Sequence, residues 1–180
     1  DTLERVAEAI RRLNEDLKRT LEKVERAVRE ILKRLAETLK RAEEEVRRLN
    51  RDLERKVRRD EVEEVIRRSR ESLRRLKEEV KRALDRIKRL LDELKKRVRE
   101  VNERSKRSLE DLKRLVENNA SEEEIKKVLD DNKKLAEDLK RELKRVLEEI
   151  RKLVKELEDI VREVLKTNKE LHERLKRRAD

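Results

Sequence analysis

Apolar residues recur along this chain with a period of eighteen. In the first third they fall at Leu3, Val6, Ile10, Leu13 and Leu17, again at Leu21, Val24, Val28, Ile31 and Leu35, and again at Leu39, Ala42, Val46, Leu49 and Leu53. The gaps run 3-4-3-4-4. Eighteen residues then complete five turns at 3.6 residues per turn, the pitch of the α-helix itself. A heptad repeat would draw the helices into a left-handed supercoil and an eleven-residue repeat into a right-handed one. This spacing demands neither, so straight helices are expected.

The last third carries the same scheme. Ile125, Val128, Asn132, Leu135 and Leu139 are followed by Leu143, Val146, Ile150, Leu153 and Leu157, then by Val161, Val164, Asn168, Leu171 and Leu175. The middle third shows two copies, Leu73, Leu76, Val80, Ala83 and Ile87, then Leu91, Leu94, Val98, Val101 and Ser105. One apolar stripe per helix suits a small bundle and not a helix buried all round.

Composition removes the alternatives. The 180 residues include no Gly, Pro, Cys, Met, Phe, Tyr or Trp, 57% are charged and 33% are apolar. A chain of this size carries roughly 20 Gly plus Pro by average usage. Their absence leaves good helix formers almost everywhere and little turn chemistry. So polar a composition alone reads as disorder, and the periodic pattern argues against that. Without Cys there is no disulfide and no thiolate metal site. No apolar run exceeds two residues, which excludes a membrane-spanning or signal segment. With no Met at position 1, the chain is expected to be a trimmed or tag-cleaved product.

Helix ends are marked by caps. Ser121 with Glu124 forms a capping box, and the preceding Asn118 and Asn119 tolerate left-handed backbone. Asp60 with Glu63 is a weaker start signal after Arg58 and Arg59. These signals predict helices over about 2–58, 61–118 and 121–178 in one unit spanning 1–180. Each helix is roughly 85 Å long at 1.5 Å per residue. Glu precedes Arg by four residues at Glu22/Arg26, Glu30/Arg34, Glu37/Arg41 and Glu44/Arg48, as on a solvated helix face.

Polar residues inside the repeat fix a register. Helix 1 reads Asn14, Leu32, Asn50. Helix 2 reads Ser69, Ile87, Ser105 and also Ser72, Leu90, Ser108, and helix 3 reads Asn132, Ile150, Asn168. Pairing Asn14 with Ser105 and Asn50 with Ser69 gives residue numbers that add to 119 both times, placing a turn near 59.5. Pairing Ser105 with Asn132 and Ser69 with Asn168 gives 237 twice, placing a turn near 118.5. Both turns coincide with the caps. The expected fold is therefore all-α, a monomeric antiparallel (up-down-up) three-helix bundle. Its two polar layers are Asn14, Ser105, Ser108 and Asn132, and Asn50, Ser69, Ser72 and Asn168, about 54 Å apart by helical rise.

These features together resemble the de novo designed, parametrically built helical bundles, specifically the untwisted antiparallel three-helix kind with buried hydrogen-bond networks. The resemblance covers all 180 residues; the lack of Gly in both loops departs from it. It implies a structural scaffold with no catalytic site, no cofactor, no metal, no required partner and no natural localisation. Recombinant expression should place such a chain in the cytoplasm.

Functional alternatives meet specific obstacles. A slipped helix would leave a buried amide without partners at about 1–3 kcal/mol, so the Asn and Ser layers read as register devices more than as a binding pocket. His172 is the only histidine. It shares a column with Ala136 and Val154, one turn beyond Asn168, and reads as a flank residue, with joining the nearby network as the open alternative. No carboxylate occupies a core column, which argues against acid–base catalysis. Net charge is +11, with basic runs at Lys95–Arg97 and Arg177–Arg178, but no aromatic residue is available for base stacking. Weak nonspecific polyanion binding is the lesser alternative, and no specific nucleic acid is expected. The main alternative is a designed interaction module, a homo-oligomer or one chain of a heterodimer. Ile66, Leu84, Leu115, Leu129, Leu147 and Leu165 would widen its apolar face, or equally complete a monomeric core.

Overall fold

A chain with no Gly or Pro has nothing to interrupt a helix except its caps. The computed structural model, which describes residues 2–58 and 60–179, has three: α1 (Thr2–Lys56), α2 (Glu61–Glu117) and α3 (Glu122–Ala179). They pack against one another as a three-helix bundle, the fold expected from the repeat. Acidic residues open α2 (Glu61, Glu63, Glu64) and α3 (Glu122, Glu123, Glu124), and basic ones close α1 (Arg55, Lys56) and α3 (Lys176, Arg177, Arg178). That placement complements the helix dipole.

The α2–α3 connection solves the missing-glycine problem with asparagine. Asn119 takes φ 55°, the left-handed region. The Ala120 N–H donates to the Leu115 carbonyl (2.9 Å) and the Asn119 N–H to the Val116 carbonyl (3.1 Å). This is the Schellman pattern, which satisfies carbonyls a helix end would otherwise orphan. Two residues later the Glu124 N–H donates to Ser121 Oγ (3.3 Å), capping α3 as the sequence predicts. At the other connection α1 ends at Lys56, two residues short of the expected 58. Val57 leaves the helix and is buried, its N–H still donating to the Leu53 carbonyl (3.0 Å).

The chain divides into two compact units, each drawing on all three helices. The first comprises Asp1–Val28 and Lys88–Glu149, the second Arg29–Ile87 and Ile150–Asp180. In the first, Val6, Ile10, Leu112 and Ile125 form a buried cluster flanked by Leu3, Leu109, Val128 and Leu129. In the second, Leu53, Val57, Val62, Val65, Ile66 and Leu175 cluster with Leu171 against them. Burying each such side chain contributes about 1.5–3 kcal/mol. Of the candidate flank residues, Ile66 is therefore core, Leu129 packs beside core, and Leu84 is exposed; Leu115, Leu147 and Leu165 are half-buried.

Ion pairs between helices report the register within each unit. Glu25 pairs with Lys95 (3.8 Å) in the first unit and Glu43 with Lys77 in the second; in both, the residue numbers add to 120. Between α1 and α3, Asp16–Lys140 (2.7 Å), Glu45–Lys169 (3.9 Å) and Asp52–Lys176 all differ by 124. Arg97–Glu142 joins α2 to α3 with a sum of 239. Constant sums mark antiparallel neighbours and a constant difference marks parallel ones, so the order is up-down-up. The 18-residue period is visible again: Glu43 and Lys77 are each one repeat from Glu25 and Lys95.

Candidate functional site in the buried polar layers

The apolar stripe of each helix faces inward, so polar residues placed in it or directly beside it are carried into the core whatever their chemistry. Asn50, Ser69, Ser105, Asn132, Asn168 and His172 are all buried. Asn14, Ser72, Asn102 and Ser108 are half-buried.

In the first unit, Ser105 Oγ donates to Asn132 Oδ1 at 3.1 Å, between α2 and α3. Asn132 Nδ2 donates back to the Val128 carbonyl on its own helix (2.8 Å). Both ends of the amide are thereby used. Asn14, expected in the same layer, is not joined to it by a hydrogen bond. Its Oδ1 is sealed from solvent without a partner, as is Asn102 Oδ1.

In the second unit the network differs from the expected one. Asn168 Nδ2 donates to the Val164 carbonyl (2.8 Å), repeating the Asn132 arrangement 36 residues on. Asn50 is hydrogen-bonded to neither Ser69 nor Asn168; its Oδ1 lies 2.7 Å from His172 Nε2. His172 Nδ1–H donates to the Asn168 carbonyl at 2.5 Å. Ser69, fully buried, has no partner for its hydroxyl.

The structure departs from two expectations. His172 is a core residue and not a flank one: it is 0% exposed, its column companions Ala136 and Val154 are buried with it, and it joins the network through Asn50 and Asn168. The column itself carried the signal, because two apolar residues at the same phase mark a core position. The second correction is the partner of the helix 1 amides. Asn50 reaches α3 with an offset of 122, close to the 124 of the ion pairs, which selects the residue one turn beyond Asn168. The residue at the same offset from Asn14 is Ala136, a methyl group with nothing to donate. One layer is therefore closed by an imidazole and the other left short of a partner.

Burial is the larger influence on His172 and pushes its pKa down, opposed by the hydrogen bond to the Asn168 carbonyl; the charge of Lys176 adds to the lowering. At the surface the direction is set by pairing. The hydrogen bond from Lys140 holds Asp16 below the usual carboxylate range, and those from Lys176 and Lys56 do the same for Asp52.

Grooves lie between helices within each unit. One of about 510 Å³ runs beside Asn50 with Glu43, Arg47, Arg51, Arg70 and Arg74 in its walls; another of about 570 Å³ is lined by Ala9, Leu13 and Leu129 among charged residues. No group of three or more metal-ligating side chains occurs among the described residues, and none of their helices is long and apolar enough to cross a membrane. The fold and its buried polar groups define an all-helical three-helix bundle with a few internal side-chain hydrogen bonds. No protein family, no curated protein and no solved structure matches this chain.

Proposed function

We propose that the chain is a designed structural scaffold, of the parametric untwisted type, whose buried Asn and Ser residues set helix register. It has no catalytic role, and needs no cofactor or partner. The carrying observation is the buried Ser105–Asn132 hydrogen bond, whose residue numbers add to the 237 predicted from the sequence. The 18-residue period, the lack of every helix breaker and aromatic residue, and ion pairs that keep constant register support the same reading. The want of matching relatives is compatible with it.

A register device trades stability for uniqueness. Replacing Ser105 with Ala and Asn132 with Leu together should leave stability unchanged or higher, because both polar partners go at once. The same variant should show more than one set of backbone amide resonances. A single sharp set, identical in number to the parent, would count against a register role.

Among the described residues, Leu84 and Val116 are the exposed large apolar side chains. Single exposed apolar residues are ordinary on a protein surface. This favours a monomer over an interaction module.

A further inference from the structure

The buried histidine closes the second layer against Asn50 and also introduces a group that titrates. It is the only histidine, and the chain has no cysteine, so no other side chain ordinarily changes charge close to neutral pH. We propose that His172, clamped between the Asn168 carbonyl and the Asn50 side-chain amide, is a one-proton device that loosens the second unit as the solution is acidified from pH 7.5 to 5.

The geometry carries this. The Asn168 carbonyl can only accept, so while this bond stands Nδ1 carries a proton and the titrating atom is Nε2. Nε2 faces the Asn50 amide, which has a donor at one end and an acceptor at the other. With Oδ1 toward the ring, Asn50 suits the imidazolium. After a half-turn, Nδ2 donates to the lone pair of the neutral ring. Asn50 can therefore satisfy either state, but it cannot neutralise the charge of one of them.

No carboxylate does so either. On helix 3, Lys176 is the charge whose field reaches the ring, and it repels a proton. The acids on helix 1 that point toward α3, Glu45 and Asp52, are engaged by Lys169 and Lys176. The groove beside Asn50 does hold two acids, but Glu43 is paired with Arg47 and Lys77, and Glu54 lies among Arg51, Arg70 and Arg74; neither acts on the ring. Glu71 lines the groove beside Asn168 and is paired with Arg74. An imidazolium here is buried, hydrogen-bonded and without a counter-ion. Its protonation is thus disfavoured relative to the unfolded chain, whose histidine titrates at its ordinary value near 6.5.

Below pH 6.5 the unfolded chain binds a proton that the folded chain resists, so acid favours unfolding. The stability present above pH 6.5 is lost as pH falls toward the folded pKa. The folding equilibrium constant drops by up to about tenfold for each unit separating the two values.

The test is an NMR titration of the His172 ring in the full chain, joined to urea unfolding at pH 7.5 and 5. The parent should titrate below 6.5 and lose urea resistance at pH 5. His172→Leu should lose that difference between the two pH values, and Asn50→Asp, which supplies the missing counter-charge, should raise the ring pKa above 6.5. A parent pKa at or above 6.5, an unchanged pKa in Asn50→Asp, or a pH difference that survives in His172→Leu would each overturn the proposal. Should His172→Leu fail to fold, the parent and Asn50→Asp titrations decide by themselves.

Discussion

Ser69 and Ser105 sit two repeats apart on the same column of helix 2, and the structure gives them opposite fates. Ser105 donates across to Asn132, while the fully buried Ser69 hydroxyl donates to nothing. A net intramolecular hydrogen bond is worth about 0.5–1.5 kcal/mol, and a buried group left without one costs about 1–3 kcal/mol. Ser105→Ala should therefore destabilise by about 1–3 kcal/mol, since it also strands Asn132 Oδ1. Ser69→Ala should be neutral or stabilising. Urea midpoints of the two variants check this, and equal losses would contradict it. Asn132→Ala should match Ser105→Ala in direction and size, because it strands the other half of the same bond. The two seryl positions are indistinguishable in the sequence. What separates them is whether a partner lies within about 3 Å, and an 18-residue column cannot resolve that. The Asn50–His172 contact was hidden for the same reason: residue-number sums locate a layer to within a turn, and hydrogen bonds are decided inside one turn.

At the scale of the helix, the sequence told most of the story, because period and caps act locally. Ser121 caps α3 where the S-x-x-E signature places it, and α2 ends within one residue of the expected 118. The early end of α1 was not legible. Val57 breaks from the helix to reach the cluster around Leu53 and Leu175, a tertiary gain that outweighs one more helical residue. The Asn119 cap makes a sharp prediction. A left-handed backbone costs a residue with a Cβ roughly 1–2 kcal/mol, and asparagine only part of that. Asn119→Gly should stabilise by up to about 1 kcal/mol, Asn119→Val should destabilise, and Ser121→Ala should cost about 1 kcal/mol. Thermal or urea unfolding ranks the three, and a stabilised Asn119→Val would show the left-handed cap to be unimportant.

For the whole molecule, charge and apolar exposure set the behaviour in solution. Light scattering coupled to size exclusion should give a molar mass near the 22.0 kDa of one chain; twice that value at micromolar concentration would favour an interaction module. The net charge of +11 should produce weak duplex-DNA binding that is lost steeply as salt rises. Binding that survives physiological salt and discriminates between sequences would contradict the scaffold reading. Acid should act on the surface as well as on His172. Asp16 and Asp52 are held below their ordinary 3.8 by lysines, so their contribution is present above that value and fades as pH falls through the lowered one. The effect is small for exposed pairs and flattens in high salt.

On the proposed reading, polar layers choose one register for helices whose apolar stripes would tolerate others. Cysteines introduced as Glu43→Cys and Lys77→Cys report the native register between α1 and α2 when joined by a short bismaleimide. Glu43→Cys with Arg70→Cys, or with Leu84→Cys, reports registers displaced by two turns. The parent background should cross-link only the 43/77 pair. With Asn14, Asn50, Asn132 and Asn168 changed to Leu and Ser69 and Ser105 to Ala, the displaced pairs should cross-link as well. If that apolar background still joins 43 to 77 alone, register is set by the loops and the apolar pattern, and the layers do not have the role given to them.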